Sequence, residues 1–157
     1  MKIAITGTTG GIGGAVKKLA LSLGHEVIDI NRDDFKSLFP GSGFPDGMLD
    51  AVVFCTGVCP VKPVALSSDE LFVDTVKVNV GLFLKLMRHI VSERLYNPQG
   101  MAAIALSSVS AHEGWPGGAA YCASKGALSA MCLAMDAELK AKRIRVKALE
   151  PRYVRTK

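Results

Sequence analysis

Several features are scarce or missing in this chain of 157 residues, and each absence closes off a class of function. No apolar run reaches the ~18 residues that a membrane-crossing helix needs. The N-terminus runs straight into Lys2-Ile3-Ala4-Ile5, with no basic segment and small-residue cleavage site, so the expected location is cytoplasmic. Cysteine is limited to Cys55, Cys59, Cys122 and Cys132. Their spacing matches no zinc pattern and holds no Cys-x-x-Cys redox pair, so buried free thiols are expected and no metal site. Aromatic residues make up 6%, and none is interleaved with the basic residues near the C-terminus. Nucleic-acid binding through stacking platforms therefore has no support.

What is present fits an ordinary α/β protein. Hydrophobic residues are 49% of the chain, charged residues 21%, and glycine fills 16 positions, enough for one good core and one domain over 1–157. No internal repeat is visible. The net charge of +5 is uneven: Lys140, Lys142, Arg143, Arg145, Lys147, Arg152, Arg155 and Lys157 supply eight of the 19 basic residues, opposed in that stretch only by Glu150. A helix C-terminus followed by a solvated strand end explains such a cluster more simply than an anionic partner does.

Periodicity orders the elements. Lys2 to Thr6 is a strand that stops at glycine. Ile12 to Leu23 has helical spacing and ends at Gly24. Glu26 to Ile30 is a second strand, Asp33 can cap a short helix over Phe35 to Phe39, and Pro40 to Gly47 is loop. Ala51 to Cys55 is the next strand. Ser67 or Ser68 caps a long helix running to about Leu95, with Asp69 and Glu70 in its first turn. Met101 to Leu106 is read as a strand buried on both faces. Ala119 to Lys140 is helix, and Arg143 to Leu149 a last strand. Helices between most strands predict a Rossmann-like, doubly wound parallel sheet.

Two motifs carry chemistry. Thr6-Gly7-Thr8-Thr9-Gly10-Gly11-Ile12-Gly13 lies between a strand and a helix, the context in which a glycine-rich turn binds a dinucleotide. Gly7 permits the tight turn, Gly11 lets the backbone approach a pyrophosphate, and Gly13 lets the helix pack close. The helix start then offers free N–H groups to the phosphates. The ribose is read at the end of the second strand, where Asn31 and Arg32 stand. A neutral residue beside a guanidinium suits a 2′-phosphate and predicts NADP over NAD; Asp29 or Asp33 acting as an acid there is the counter-reading. Tyr121-Cys122-Ala123-Ser124-Lys125 puts a phenol and an ammonium at i and i+4 on one helix face. A free tyrosine ionises near pH ~10; a neighbouring ammonium is expected to lower that value and make the phenol a usable general acid and base. Ser107 or Ser108, 14 or 13 residues earlier, could hydrogen-bond the reacting oxygen. His112 reads as a surface loop residue.

At this point the chain resembles the short-chain dehydrogenases/reductases over nearly all its residues. Besides the glycine loop, Cys55-Thr56-Gly57 stands where that family has an Asn-Ala-Gly turn, and Val78-Asn79-Val80 resembles its mid-helix asparagine segment. Ser108 has the family's 13-residue spacing to Tyr121, and Ile144 to Pro151 resembles its sixth strand and following turn, with Arg152 in the place of glycine. The resemblance implies Tyr121 as acid/base, Lys125 as the residue that lowers its pKa and bonds the nicotinamide ribose, Ser108 as the group that positions the substrate oxygen, and Asn79 as holder of a relay water. It implies a cofactor surface of Gly7, Thr8, Thr9, Gly11, Ile12, Gly13, Asn31, Arg32, Cys55, Thr56, Gly57, Tyr121, Lys125 and Pro151. It also implies a short or C-terminally truncated member that lacks the family's third strand, because few residues separate Arg32 from Ala51 and the family continues past the position of Lys157. The expected activity is hydride transfer between NADP(H), with NAD possible, and a small carbonyl or alcohol substrate. The alternative is a non-catalytic NAD(P)-binding regulatory protein, which would not need a proton relay. A homodimer or homotetramer is expected through the two long helices, with Val76, Val80, Leu84 and Met87 on one and Leu128, Met131 and Met135 on the other.

Overall fold

The computed structural model describes residues 1–31 and 47–155. Within them five parallel strands form one sheet: β1 Lys2–Thr6, β2 Glu26–Ile30, β3 Ala51–Phe54, β4 Met101–Leu106 and β5 Ile144–Leu149, in the spatial order β2-β1-β3-β4-β5. Every pairing is parallel and in register, for example Ala4 between Ile28 and Val52. Among the described residues four α-helices connect them: α1 Gly11–Ser22, α2 Asp69–Val76, α3 Leu82–Ser92 and α4 Ala119–Leu139. The expected Rossmann-like doubly wound sheet is therefore found. Asp33, the short helix over Phe35 to Phe39 and most of the loop after it lie outside the described residues, and no strand is described between β2 and β3.

The two sides of the sheet are covered unequally. On one side Val52, Phe54, Ala103, Ala105, Ile144 and Val146 meet Phe83, Leu86, Met87 and Ile90 of α3 and Leu128 and Cys132 of α4. Phe54 and Phe83 pack with ring centroids 5.2 Å apart. On the other side α1 lies against β1 and β2, where Ile3, Ile5 and Ala20 form a smaller core with Val16, Val27 and Val53. The far side of β4 and β5 is open among the described residues. Met101, Ala103 and Ala105 are buried while Ala102 and Ile104 are exposed, and Ile144 and Val146 are buried while Arg145 and Lys147 are exposed. This corrects the expectation of a doubly buried β4. With one face uncovered, the period-2 alternation of a half-solvated sheet returns.

A second correction concerns the long helix. Ser68 caps its start, its Oγ accepting from Leu71 N at 3.2 Å. The helix is then interrupted by a π turn over Lys77–Gly81, closed by a bond from Leu82 N to Lys77 O, before α3 continues to Ser92. One residue is thereby added to the turn, which re-aims the side chains within it. Part of the C-terminal basic cluster is paired, Arg145 and Lys147 both meeting Asp136. Asp136 on α4 accepts from Arg145 Nε at 2.9 Å and from Val146 N at 2.8 Å, and Lys147 Nζ lies 3.6 Å from its other oxygen.

Of the apolar residues expected to be in surplus on the two long helices, Leu84 is exposed and the others are buried or half-buried. Met87, Leu128 and Met135 are buried within the subunit. Phe72, Val73 and Leu133 are exposed as well as Leu84, beside an alanine stripe on α4 formed by Ala119, Ala123, Ala127, Ala130, Ala134 and Ala137, all exposed.

Candidate active site

In a sheet of order 2-1-3-4-5 the crevice opens at the C-terminal strand ends, where the connections after β1 and β3 leave in opposite directions. Thr6 ties those two ends together: its Oγ1 accepts from Cys55 N at 3.0 Å and Thr56 N at 3.1 Å. Gly7 follows with φ +67°, and a Cβ there would lie 3.1 Å from the Cys55 carbonyl, so any other residue would be strained and crowded at this turn. Gly13 is more constrained still, since a Cβ there would sit 2.3 Å from Gly7 O. The glycines thus let α1 start directly over the end of β1. Gly10 caps α1 without any side-chain hydrogen bond, which leaves first-turn N–H groups available to a phosphate. A dinucleotide pyrophosphate fits this cradle.

A cleft of about 280 Å³ opens beside it, lined by the ends of four chain segments: Ile12 from α1, Cys55, Gly57, Val58 and Cys59 after β3, Leu106, Ser107 and Ser108 at the end of β4, and Pro151, Arg152 and Val154 after β5, with Tyr121 and Lys125 of α4. Ser108, Tyr121 and Lys125 therefore meet, as do Ile12, Cys55, Gly57 and Pro151 of the expected cofactor surface. Arg32 lies outside the described residues. Asp29, the rival for the ribose, is paired with Lys17 of α1 and so faces that helix.

Asn79 lies behind this cleft, fully buried. Its Oδ1 accepts from Val58 N at 2.8 Å, and its Nδ2 donates to Val58 O and to Ser124 Oγ, both at 2.9 Å. Its side chain is committed to protein partners, so it clamps the loop after β3 onto α4. Gly57 completes the fit; a Cβ there would come within 3.3 Å of Asn79 Oδ1.

Lys125 is buried, and its ammonium donates to Leu106 O at 2.6 Å while standing 5.6 Å from the Tyr121 ring centroid. Desolvation lowers its pKa to about 8, against the smaller opposing pull of Cys59 and Cys55. Tyr121 is shifted upward, chiefly by burial. The Ser108 hydroxyl acts in the opposite direction, and nearby Cys59 and Cys122 add to the rise. The expectation that Lys125 draws the phenol down is thus not met in the protein alone: burial of the half-covered phenol outweighs the stabilisation of its anion.

A polar chain underlies these residues. Ser107 Oγ donates to Lys125 O at 3.1 Å and meets Ser129 Oγ at 2.8 Å. Ser129 donates to Glu150 Oε1 at 2.6 Å, and Glu150 Oε2 lies 3.1 Å from His112 Nε2. The two serines thus divide the work. Ser107 anchors α4, and Ser108 faces the phenol. Trp115 packs beside Tyr121, ring centroids 6.3 Å apart.

Sequence reasoning missed Val58, Cys59, Arg152 and Val154. All follow directly on a strand end, and the rule that ligands gather at the carboxyl ends of parallel strands would have flagged them. The thiols also differ from expectation. Cys132 is buried, but Cys59 is exposed and Cys55 and Cys122 are half-buried, because Cys55 and Cys59 lie on the cleft wall and not in the core.

A family profile described as Enoyl-(Acyl carrier protein) reductase matches residues 1–157. The chain is similar to a 3-oxoacyl-[acyl-carrier-protein] reductase FabG of Rickettsia felis, with 29% identity over 97% of this chain and 72% of that protein. It is also similar to a serine 3-dehydrogenase of Agrobacterium fabrum, with 28% identity over 95% of this chain and 70% of that one. Among solved structures it superposes on a 4-hydroxyisoleucine dehydrogenase complexed with NADH and succinate, with TM-score 0.85 and 26% identity, covering 95% of this chain and 78% of the other. Among the described residues no helix is long and apolar enough to cross a membrane, and no cluster could hold a metal ion.

The lowered pKa of Lys125 has a stability consequence. The unfolded chain binds this proton more tightly than the folded one, so the folded state is penalised below about pH 8, and the penalty fades as pH rises toward 10.5. Lys125→Met is expected to raise stability at pH 7 by about 1–2 kcal/mol, after the loss of the Leu106 hydrogen bond. Urea denaturation should show that gain shrinking as pH rises from 7 to 10; a gain that grows with pH would contradict it.

Proposed function

The chain belongs to the short-chain dehydrogenase/reductase family, and from that premise we propose that it transfers hydride between NADP(H) and a small carbonyl or alcohol substrate, with Tyr121 as general acid/base. One observation carries the reading: the phenol of Tyr121, the hydroxyl of Ser108 and the ammonium of Lys125 line one cleft with Ile12 of the glycine loop. The nicotinamide supplies the hydride when bound. The residues of the chain do the rest. Glycines 7, 11 and 13 and the α1 N-terminus hold the pyrophosphate, with Thr8 and Thr9 beside them. Cys55, Thr56, Gly57 and Pro151 border the nicotinamide half. Ser108 orients the substrate oxygen, Tyr121 gives it a proton in reduction, and Lys125 stabilises the phenolate that results. Asn79 keeps the cleft wall in place.

Tyr121→Phe is expected to lower turnover by at least ~100-fold while leaving cofactor affinity within about twofold, since the phenol moves a proton and does not hold a phosphate. Steady-state assays on a carbonyl panel, paired with cofactor fluorescence titration, read both. Substantial remaining reductase activity would remove Tyr121 from its role. A non-catalytic regulatory protein would instead bind cofactor and turn over nothing in wild-type form.

The preference for NADP(H) rests on Asn31 and Arg32. Titrating both cofactors into wild type and Arg32→Ala should show NADP(H) bound more tightly by the former and the difference reduced in the latter. Tighter binding of NAD(H) to wild type would reverse the assignment.

A homodimer or homotetramer is proposed on the outward side of α2, α3 and α4. Phe72, Val73, Leu84 and Leu133 stay exposed there, and the alanine stripe of α4 permits close approach of a second helix. Light scattering across a dilution series is expected to give a dimer or tetramer at micromolar concentration; a monomer would remove the interface.

A further inference from the structure

We infer that the substrate is a short acid, and that Arg152 is the residue that recognises its carboxylate; the inference rests on the hydride-transfer reading above. Arg152 lines the cleft that contains Tyr121, Ser108 and Lys125. Its guanidinium is bonded to the carboxylate of Glu113, which reaches across from the loop after β4. Both side chains are more than half exposed, so the pair contributes little to stability and exchanges readily. A guanidinium fork matches a carboxylate bidentately. Glu113 is then an internal occupant of a site that an incoming carboxylate can take.

The other charged group that lines the cleft, and the carboxylate behind it, are already engaged. The Lys125 ammonium is buried against Leu106 O, and Glu150 is held by Ser129 and His112. Among the described residues that line the cleft, Arg152 is therefore the cation with an exchangeable partner. Val58, Leu106 and Val154 supply apolar wall nearby, suited to a short carbon chain between the carboxylate and the reacting carbon. The cleft of about 280 Å³ must also receive the reactive end of the cofactor, so the part of the substrate held beside Tyr121 is short.

The same guanidinium could serve an oxyanion of another source, a cofactor phosphate, and the experiment separates the two. The protein is saturated with whichever oxidised cofactor binds more tightly, so that no reduction occurs. It is then titrated calorimetrically with acetoacetate, methyl acetoacetate, pyruvate and methyl pyruvate. In wild type at least one acid should bind about tenfold more tightly than its ester. Arg152→Gln should weaken that acid by roughly 10- to 100-fold and leave the ester and the cofactor within about twofold. Arg152→Lys should recover part of the loss, because charge returns without the fork. Glu113→Gln should tighten the acid severalfold by removing the internal competitor. Acids that bind no better than their esters would overturn the inference. So would an Arg152→Gln variant that loses cofactor affinity and keeps its acid preference. Reduced-cofactor oxidation with the same four compounds tests the parent reading separately. Acid-selective binding without any oxidation retires the reductase and keeps the carboxylate site; oxidation of acids and esters alike does the reverse.

Discussion

The buried amide of Asn79 is the contact on which the candidate site depends. Three hydrogen bonds join it to both backbone groups of Val58 and to Ser124, so one side chain fixes the loop after β3 against the helix that carries Tyr121 and Lys125. An amide left unsatisfied in such a place costs about 1–3 kcal/mol, which ties the position of the loop to the position of the helix. The π turn over Lys77–Gly81 is the local device that brings Asn79 to this spot. A regular helix would rotate it by a fraction of a turn. π bulges often mark functional positions for this reason.

The electrostatics follow from the same packing. Pressing α4 against the ends of β4 and β5 buries an ammonium, and the Leu106 carbonyl only partly replaces its lost hydration. Lys125 is held near pKa 8 and Tyr121 above its ordinary value. Both shifts have burial as their first cause, so both report partial removal of water from these groups; only the Lys125 shift costs stability near neutral pH, where the phenol is uncharged. A cationic nicotinamide ring placed in the cleft would favour the phenolate, and the balance between burial and charge at Tyr121 would change with it.

The polar chain from Lys125 O through Ser107 and Ser129 to Glu150 gives the far side of α4 a matching anchor. It reaches the turn after β5, where Arg152 leaves toward the cleft. Strand ends that are remote in sequence are thus locked to one helix from both sides. The rigidity comes from satisfied buried hydroxyls and not from apolar packing alone. The uneven covering of the sheet complements this. The well-packed side holds the helices that build the site, and on the side over β4 and β5 Ala102, Ile104, Arg145, Lys147 and Leu149 are exposed.

Much of this was written in local residue patterns. The glycine loop, the alternation of β and α segments along the chain, and the Tyr121–Lys125 pair are all short-range features whose geometry is set by φ/ψ limits and helix periodicity. Ser108 and Asn79 were legible through the resemblance of their neighbourhoods. Other features depend on distances between segments that no local pattern encodes. The commitment of Asp29 to Lys17, the Asn79 clamp on Val58, the opposition of Glu113 to Arg152 and the upward shift of Tyr121 arise only when residues far apart in the chain are packed together. Burial is the clearest case. The identity of Tyr121 and its i+4 spacing to Lys125 are sequence properties and pointed to a lowered pKa. The amount of water removed from the phenol is a property of the tertiary fold, and it reversed the sign.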